Sequence, residues 1–367
     1  MRTCLFIFGL FMSSLLHGQQ LLKARVVAAS TKKPIAGASI YIDNSTIGSI
    51  SDADGLVELK IPALQKIDLV VSSVGFISFH KTIDLSEVSS LHEIVLQEKM
   101  VDLQEVSIGG YELEGWGKWG EFFKRIVLGN APFANQCRIL NTSQIHFRNY
   151  KTSDKVVAFS DEPILVRNNA LGYMIKYDLV IFESTHSGSS YSYAGHPFFT
   201  ELKPINSKQR ETWKRNREMA FFGSVNHFMR SLYRNTLAEN GFTLKSAPNS
   251  VLLGASTRNV FARIPKTLTA DSIAFAVDSM TVAMSFAGQI LVKIDPDVMF
   301  DGRPELKHKN PFLTEEPISM LNLKADQPII VFHNGSYYDV LNLQVSAYWL
   351  WRETMATLLP LGFYVKN

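Results

Sequence analysis

Alternation of apolar and polar residues, cut by turn sequences, runs through residues 21–96 and confines that stretch to half-buried β-strands. Ala38, Ile40 and Ile42 point one way, and Ser39, Tyr41 and Asp43 the other. Val57, Leu59 and Ile61 alternate with Glu58 and Lys60, and Ile67, Leu69 and Val71 continue the period. A period of two sends successive side chains to opposite faces of a strand, one for a core and one for solvent. Lys33-Pro34 and Ala36-Gly37 break the chain before one strand, and Gly75 opens a later bend. Asp52-Ala53-Asp54-Gly55 reads as a tight turn in which Gly55 takes positive φ. No helical period intervenes, so residues 19–98 are predicted to form an antiparallel β-sandwich.

The run Pro34-Ile35-Ala36-Gly37-Ala38-Ser39-Ile40 is followed by Gly48, by Ser51-Asp52-Ala53-Asp54-Gly55 and by Ser73-Val74-Gly75-Phe76. These motifs, in this order, resemble the carboxypeptidase regulatory-like domain over nearly all of residues 21–98. The resemblance implies a transthyretin-like sandwich of the kind found at the front of many exported Bacteroidetes proteins, including TonB-dependent receptors. It implies no peptidase activity, because the module is an accessory in its namesake enzymes.

Residues 1–18, MRTCLFIFGLFMSSLLHG, combine Arg2, an apolar run and the small Gly18. This is the order of a secretory signal peptide, and the run of about a dozen residues is shorter than the roughly 20 that span a bilayer. Gln19 stands where a lipoprotein would carry Cys. The expectation is an exported chain of the periplasm or outer membrane. Beyond residue 18 the one cysteine is Cys137, which cannot make an internal disulfide and reads as a small buried hydrophobe. The net charge is +3, and residues 19–110 hold 8 Lys/Arg against 11 Asp/Glu, so the basic excess lies in the rear. That excess suits an anionic envelope polymer and is too small to argue for nucleic acid.

Residues 99–115 read as a polar, acidic linker, with Val101, Leu103 and Val106 able to add a short strand. Residues 116–367 are predicted to be a larger β-rich α+β domain. A helix over 116–128 presents Trp119, Phe122, Phe123, Ile126 and Val127 on one face. Strands are expected at 145–150, 156–159 and 173–182, where Tyr173, Ile175, Tyr177, Leu179 and Ile181 share a face, with a loop tip at 187–192. Residues 207–239 switch to helical spacing as two helices meeting near Gly223. Strands follow at 242–244, 273–277, 281–286 and 290–294. The chain is expected to end in an amphipathic helix over 344–359, with Leu350, Met355 and Leu358 inward, stopped by Pro360. WKRNREMAFFGSVNHFMRSL, PILVRNNALGYMIKYDL and YWLWRETMATLLPLGFY resemble the uncharacterised region that follows this sandwich in many Bacteroidetes envelope proteins. That resemblance brings no reaction with it.

Zinc carboxypeptidase and zincin chemistry needs His-x-x-Glu or His-Glu-x-x-His; no histidine has Glu three residues on, and His92-Glu93 is followed by Leu96 where the second His would stand. A Gly-x-Ser-x-Gly elbow and a P-loop are absent as well. Asp43, Asp52, Asp54 and Glu58 have the oxygen chemistry of calcium ligands but lack the spacing of an EF-hand, so no metal and no cofactor are expected. The basic helical segment offers the best candidate site. Arg210, Lys214 and Arg217 share one helical face, and His227, Arg230 and Arg234 another. Arg217, His227 and Arg230 are the candidate ligands for a phosphate, sulfate or sugar acid, since Arg presents a planar donor fork. The alternative is a solvated or internally paired face. Asn168 and Asn169 are candidates to hydrogen-bond a sugar, or else cap a turn. Trp116, Trp119, Trp213, Trp349 and Trp351 either stack on glycans or pack the core.

The leading expectation is a non-catalytic cell-envelope protein. Its sandwich docks or stabilises, and its rear domain binds an envelope protein or an anionic polysaccharide. Membrane association without a transmembrane helix is compatible with this. A second reading is a hydrolase-like enzyme with a basic pocket in the rear domain. A third is a small outer-membrane β-barrel, which the helices of 207–239 argue against.

Overall fold

The computed structural model describes residues 20–61, 66–84, 92–99, 110–130, 132–247, 257–313, 317–324, 327–338 and 342–365. The expected signal peptide and the short strand around Val101 to Val106 lie outside the described residues.

The front domain contains β1 (Gln20–Ala28), β2 (Ser39–Ile42), β3 (Gly48–Ile50), β4 (Leu56–Ile61), β5 (Lys66–Ser72), β6 (Phe79–Asp84) and β7 (His92–Leu96). Two sheets, ordered β4-β1-β7 and β3-β2-β5-β6, enclose a core that includes Leu22, Val26, Ile40, Leu59, Leu69 and Leu96. The pairing is antiparallel except for β1 with β7, which run parallel. The predicted turn holds. Asp52 Oδ1 accepts the N–H groups of Asp54 and Leu56, at 3.0 and 2.8 Å, and Gly55 has φ of 73°. A Cβ on Gly55 would lie 2.5 Å from the Val26 carbonyl oxygen, so the close strand approach also demands glycine.

The rear domain begins inside the expected linker, with β8 (Glu112–Glu114), and continues with α1 (Trp116–Val127) and β9 (Cys137–Ile139). β10 (Ile145–Tyr150), β11 (Lys155–Ser160), β12 (Ile164–Asn168), β13 (Tyr173–Ser184) and β14 (Tyr191–Glu201) complete an open seven-stranded sheet. Two helices follow, α2 (Ser207–Phe221) and α3 (Val225–Tyr233), meeting at Gly223 as expected. Next come β15 (Phe242–Ala247), α4 (Thr257–Arg263), β16 (Thr267–Leu268), β17 (Ala274–Ala276), β18 (Thr281–Met284), β19 (Gln289–Ile294), α5 (Pro296–Met299) and α6 (Pro304–Lys309). The chain closes with β20 (Ile318–Leu323), β21 (Ile329–Phe332), β22 (Tyr337–Tyr338), β23 (Leu343–Ala347) and α7 (Tyr348–Arg352). These strands form two further open sheets, β16-β15-β19-β20-β23 and β17-β18-β21-β22. Among the described residues no helix is long and apolar enough to cross a membrane.

Two sequence expectations are corrected. On β13 the alternation flips, because pairing with β14 shifts register between Leu179 and Ile181. The irregularity exposes Val180 and turns Phe182, fully buried, to the core in place of Ile181. The expected helix over 344–359 is instead β23 followed by the single turn of α7. Pairing of β23 with β20 captures Leu343–Ala347, and Ala347 at φ of 59° ends the strand. Leu350 is consequently exposed, while Met355 is buried.

The two domains meet along a seam between the β2-β5-β6 face and β13-β14. Asn44 N–H donates to the Pro197 carbonyl at 2.8 Å, and Phe199 N–H to that of Ser45 at 2.9 Å. The Tyr41 ring packs on Phe198 at 5.0 Å, and Lys176 Nζ donates to the Ser39 and Ser72 hydroxyls at 3.0 and 3.1 Å. His80 of β6 stacks on His196 of β14 with centroids 4.1 Å apart. His196 Nδ1 lies 2.9 Å from Asp43 Oδ2, and His80 Nε2 lies 3.5 Å from Asp178 Oδ2.

Candidate functional site

The five residues selected from sequence are held in separate structural roles. Arg217, half-buried on α2, donates through Nε to the Leu171 carbonyl at 2.7 Å, pairs with Glu201 at 3.1 Å and lies 4.0 Å over the Tyr173 ring. Asn168, fully buried, donates to the Ala356 carbonyl and accepts from Leu171 N–H, both at 2.9 Å. The exposed Asn169 accepts from Arg167 Nε at 3.0 Å, and its carbonyl receives Trp213 Nε1 at 2.8 Å.

His227 and Arg230 lie on α3, engaged with other segments. His227 sits among Phe221, Phe222 and Phe242, and burial lowers its pKa to about 3. Its Nδ1 accepts from Gly223 N–H at 3.1 Å, which leaves Nε2 to donate to Asn240 Oδ1 at 3.2 Å. Arg230 is buried and donates to the carbonyls of Asn334, Phe363 and Leu361 at 2.8–2.9 Å. Burial pushes its pKa down to about 10. The structure joins Arg217 to the segment that follows Asn168, and joins Arg230 to the chain's last residues.

The carboxylates weighed for calcium are dispersed. Asp52 caps its turn, Glu58 pairs with Lys23 at 2.9 Å, and Asp43 faces His196. Among the described residues no group of three or more His, Cys, Asp or Glu is placed to hold a metal ion. Cys137 is buried, and burial pushes its thiol up to about 12.

An open cleft of about 320 Å³ lies elsewhere in the rear domain. Its walls are Arg125 and Ile126 at the end of α1, Gly129 and Asn130 beyond it, Ser187 and Gly188 at the β13–β14 tip, and Tyr191. Leu350 and Trp351 of α7, with Thr354, complete it. α1 is positioned by Phe123, which packs against Phe147 and Phe182 at 5.8 and 4.8 Å. The chain beyond α7 is tied to α1 through Met355 N–H, which donates to the Val127 carbonyl at 2.9 Å. Gly129, at φ of 71°, is required here: a Cβ would lie 2.7 Å from Thr354 Cγ2.

The hairpin tip is clamped by His186. Its Nδ1 lies 2.6 Å from Asp154 Oδ1 and its Nε2 lies 2.7 Å from Asn149 Oδ1. Its ring stacks on Trp119, whose Nε1 donates to Glu114. Ser187 donates to the Ser189 hydroxyl at 2.9 Å, so imidazole and hydroxyl both serve the tip's own structure. Arg125 lies 5.4 Å over the Phe122 ring and has no carboxylate partner among the described residues. Among the described residues the buried Thr354 hydroxyl has no hydrogen-bond partner.

Of the tryptophans weighed as glycan platforms, Trp351 lines this cleft and remains 36 % exposed. Trp213 and Trp349 are core residues. Sequence reasoning did not select Arg125, Tyr191 or Thr354. Each occurs in an ordinary helix, strand or turn context, and they converge only through long-range packing.

With the fold in view, comparison with known proteins bears on the front sandwich. Residues 22–108 match the CarboxypepD_reg-like domain. The match extends beyond the predicted boundary at residue 98, and the front strands from Leu22 onward lie inside it. No curated protein matches the chain. Among solved structures, a 9R-lipoxygenase from Cyanothece PCC8801 is 8% identical with a TM-score of 0.17, covering 59% of this chain and 49% of its own. This chain thus spans about half the length of that lipoxygenase. A putative membrane-associated protein of unknown function from Bacteroides fragilis NCTC 9343 is 7% identical with a TM-score of 0.18, covering 89% of this chain and 94% of its own. The cleft rests on its own geometry.

Proposed function

We propose that this is an exported, non-catalytic cell-envelope protein. Its CarboxypepD_reg-like domain docks on and stabilises the rear domain, which binds an envelope polymer or partner through the cleft. The single observation that carries this reading is the lining of the cleft. Aromatic surface from Tyr191 and Trp351 is combined with polar groups from Arg125, Asn130 and Ser187. Small-molecule sites combine apolar walls with placed polar groups, and here the polar share is the larger, which suits a hydroxylated ligand. Binding is favoured over hydrolysis because Ser187, which lines the cleft, and the adjacent His186 are bonded to structural partners rather than to each other. Export rests on the order of residues 1–18, and the mildly basic rear suits an anionic polymer.

The test is co-sedimentation of the chain, begun at Gln19, with an insoluble acidic envelope polysaccharide. The wild-type protein is expected in the pellet, with Trp351→Ala largely in the supernatant and the polysaccharide intact by reducing-end assay. Wild-type protein left in the supernatant rejects polysaccharide binding, and new reducing ends reject the non-catalytic role.

A further inference from the structure

The cleft also specifies a class of ligand. We propose that it takes a single acidic sugar residue, with the sugar carboxylate on Arg125 and the ring against Trp351 and Tyr191. This inference rests on the reading of the rear domain as a polymer-binding module and names the unit it recognises.

Size comes first. At about 320 Å³ the cleft is at the lower end of the roughly 300–1,000 Å³ typical of small-molecule sites. It suits one sugar ring, with a neighbouring ring of the same chain left outside, rather than a cofactor or a peptide. Charge comes second. The Arg125 guanidinium lies 5.4 Å from the Phe122 centroid on an exposed side chain that has no carboxylate partner among the described residues, so its N–H edge is the cationic donor of the cleft. That edge is a planar fork matched to a carboxylate. The cleft also lies at the C-terminal end of α1, where the helix dipole is negative. A dianionic phosphate is disfavoured there. A monoanionic carboxylate meets the same field with half the charge, and Arg125 opposes it.

The remaining lining fits hydroxyl-rich chemistry. Thr354 contributes wall surface only, its hydroxyl being buried behind that wall. Asn130 adds an amide donor and acceptor to the lining. Tyr191 and Trp351 supply ring faces whose negative π-density attracts the weakly positive C–H face of a sugar. The His186 clamp and the Met355-to-Val127 hydrogen bond hold the walls before a ligand arrives, which lowers the ordering cost of binding.

The experiment titrates the chain with digalacturonate and with the neutral digalactose of the same linkage, by calorimetry. The panel is wild type, Arg125→Gln and Trp351→Ala, with circular dichroism confirming each fold. The acidic disaccharide is expected to bind wild type about tenfold more tightly than the neutral one, the scale of one charge-assisted fork. Arg125→Gln is expected to keep neutral binding and lose the acid preference, and Trp351→Ala to lose both ligands. Equal affinity for the two sugars in wild type, or a preference that survives in Arg125→Gln, overturns the proposal. If the chain sediments with polysaccharide but binds neither disaccharide, the acidic-sugar assignment fails while the polymer-binding reading stands. If it does not sediment either, that reading fails with it.

Discussion

Arg352 shows how a charged side chain becomes a core residue. It is fully buried, and Nη2 donates to the carbonyls of Met219 and Ala220 at 3.0 and 2.6 Å, in the last turn of α2. Nη1 reaches the Tyr348 hydroxyl at 3.3 Å, and the guanidinium lies 5.3 Å from the Phe312 centroid. Helix-end carbonyls carry partial negative charge and need donors, so the cation is offset where it sits. Arg352→Met strips two buried carbonyls of their donor, at about 1–3 kcal/mol each. Arg352→Lys does not rescue, because an ammonium cannot reproduce the fork. Urea titration should place both variants' midpoints well below wild type; a Met variant melting with wild type sinks this account. Arg230 and His227 show the same limit of residue-level reading. Their side-chain chemistry is visible in the sequence, but the carbonyls and rings that surround them come from segments far along the chain.

Elements were legible where local signals agree. The α2–α3 break follows from Gly223 at φ of 80° and from Ser224, whose hydroxyl accepts His227 N–H at 3.0 Å as the N-cap of α3. Ser224→Ala should cost about 1 kcal/mol and Ser224→Asp little, since Asp caps equally well. Thermal melts of the two variants check this, and an Ala variant as stable as the Asp variant would contradict it. Elements failed where tertiary pairing outweighed periodicity. Residues 344–359 carry the spacing expected of a helix, yet the hydrogen bonds available on the edge of β20 draw Leu343–Ala347 into a sheet.

At the scale of the whole molecule the seam between domains sets a pH dependence. Burial opposes charge on His196, but the hydrogen bond and charge of Asp43, with Asp178 and Asp68, outweigh it and raise its pKa. Burial first, and the charge of His196 second, lower that of His80 against Asp178 and Asp68. Tyr41, Lys176 and Tyr338 also face this cluster, and burial raises the two phenols and lowers the ammonium. The stabilising effect of His196 is present below the ordinary histidine value of about 6.5 and is lost as pH rises through its raised value. That of His80 is present above about 6.5 and is lost as pH falls toward its lowered value. Stability from this pair should therefore peak near pH 6.5. In Tm profiles between about pH 5 and 8.5, His80→Gln should flatten the acid limb and His196→Gln the alkaline limb. Variant profiles parallel to wild type would rule the histidine pair out as the cause.

The sequence alone determined the front sandwich, its Asp52–Gly55 turn and the helix pair around Gly223, because period, turn chemistry and capping are properties of neighbouring residues. Tertiary structure decided the rest. The polar faces of β2 and β5 read as solvent-facing, yet Tyr41 and Ser72 are buried because β13 and β14 cover them. The cleft is built from residues 125–130, 187–191 and 350–354, segments that meet only when α1 packs on its sheet and the chain's end returns to it. Alternation reveals which face of a strand is apolar. What comes to lie against the other face depends on contacts between residues far apart in the chain.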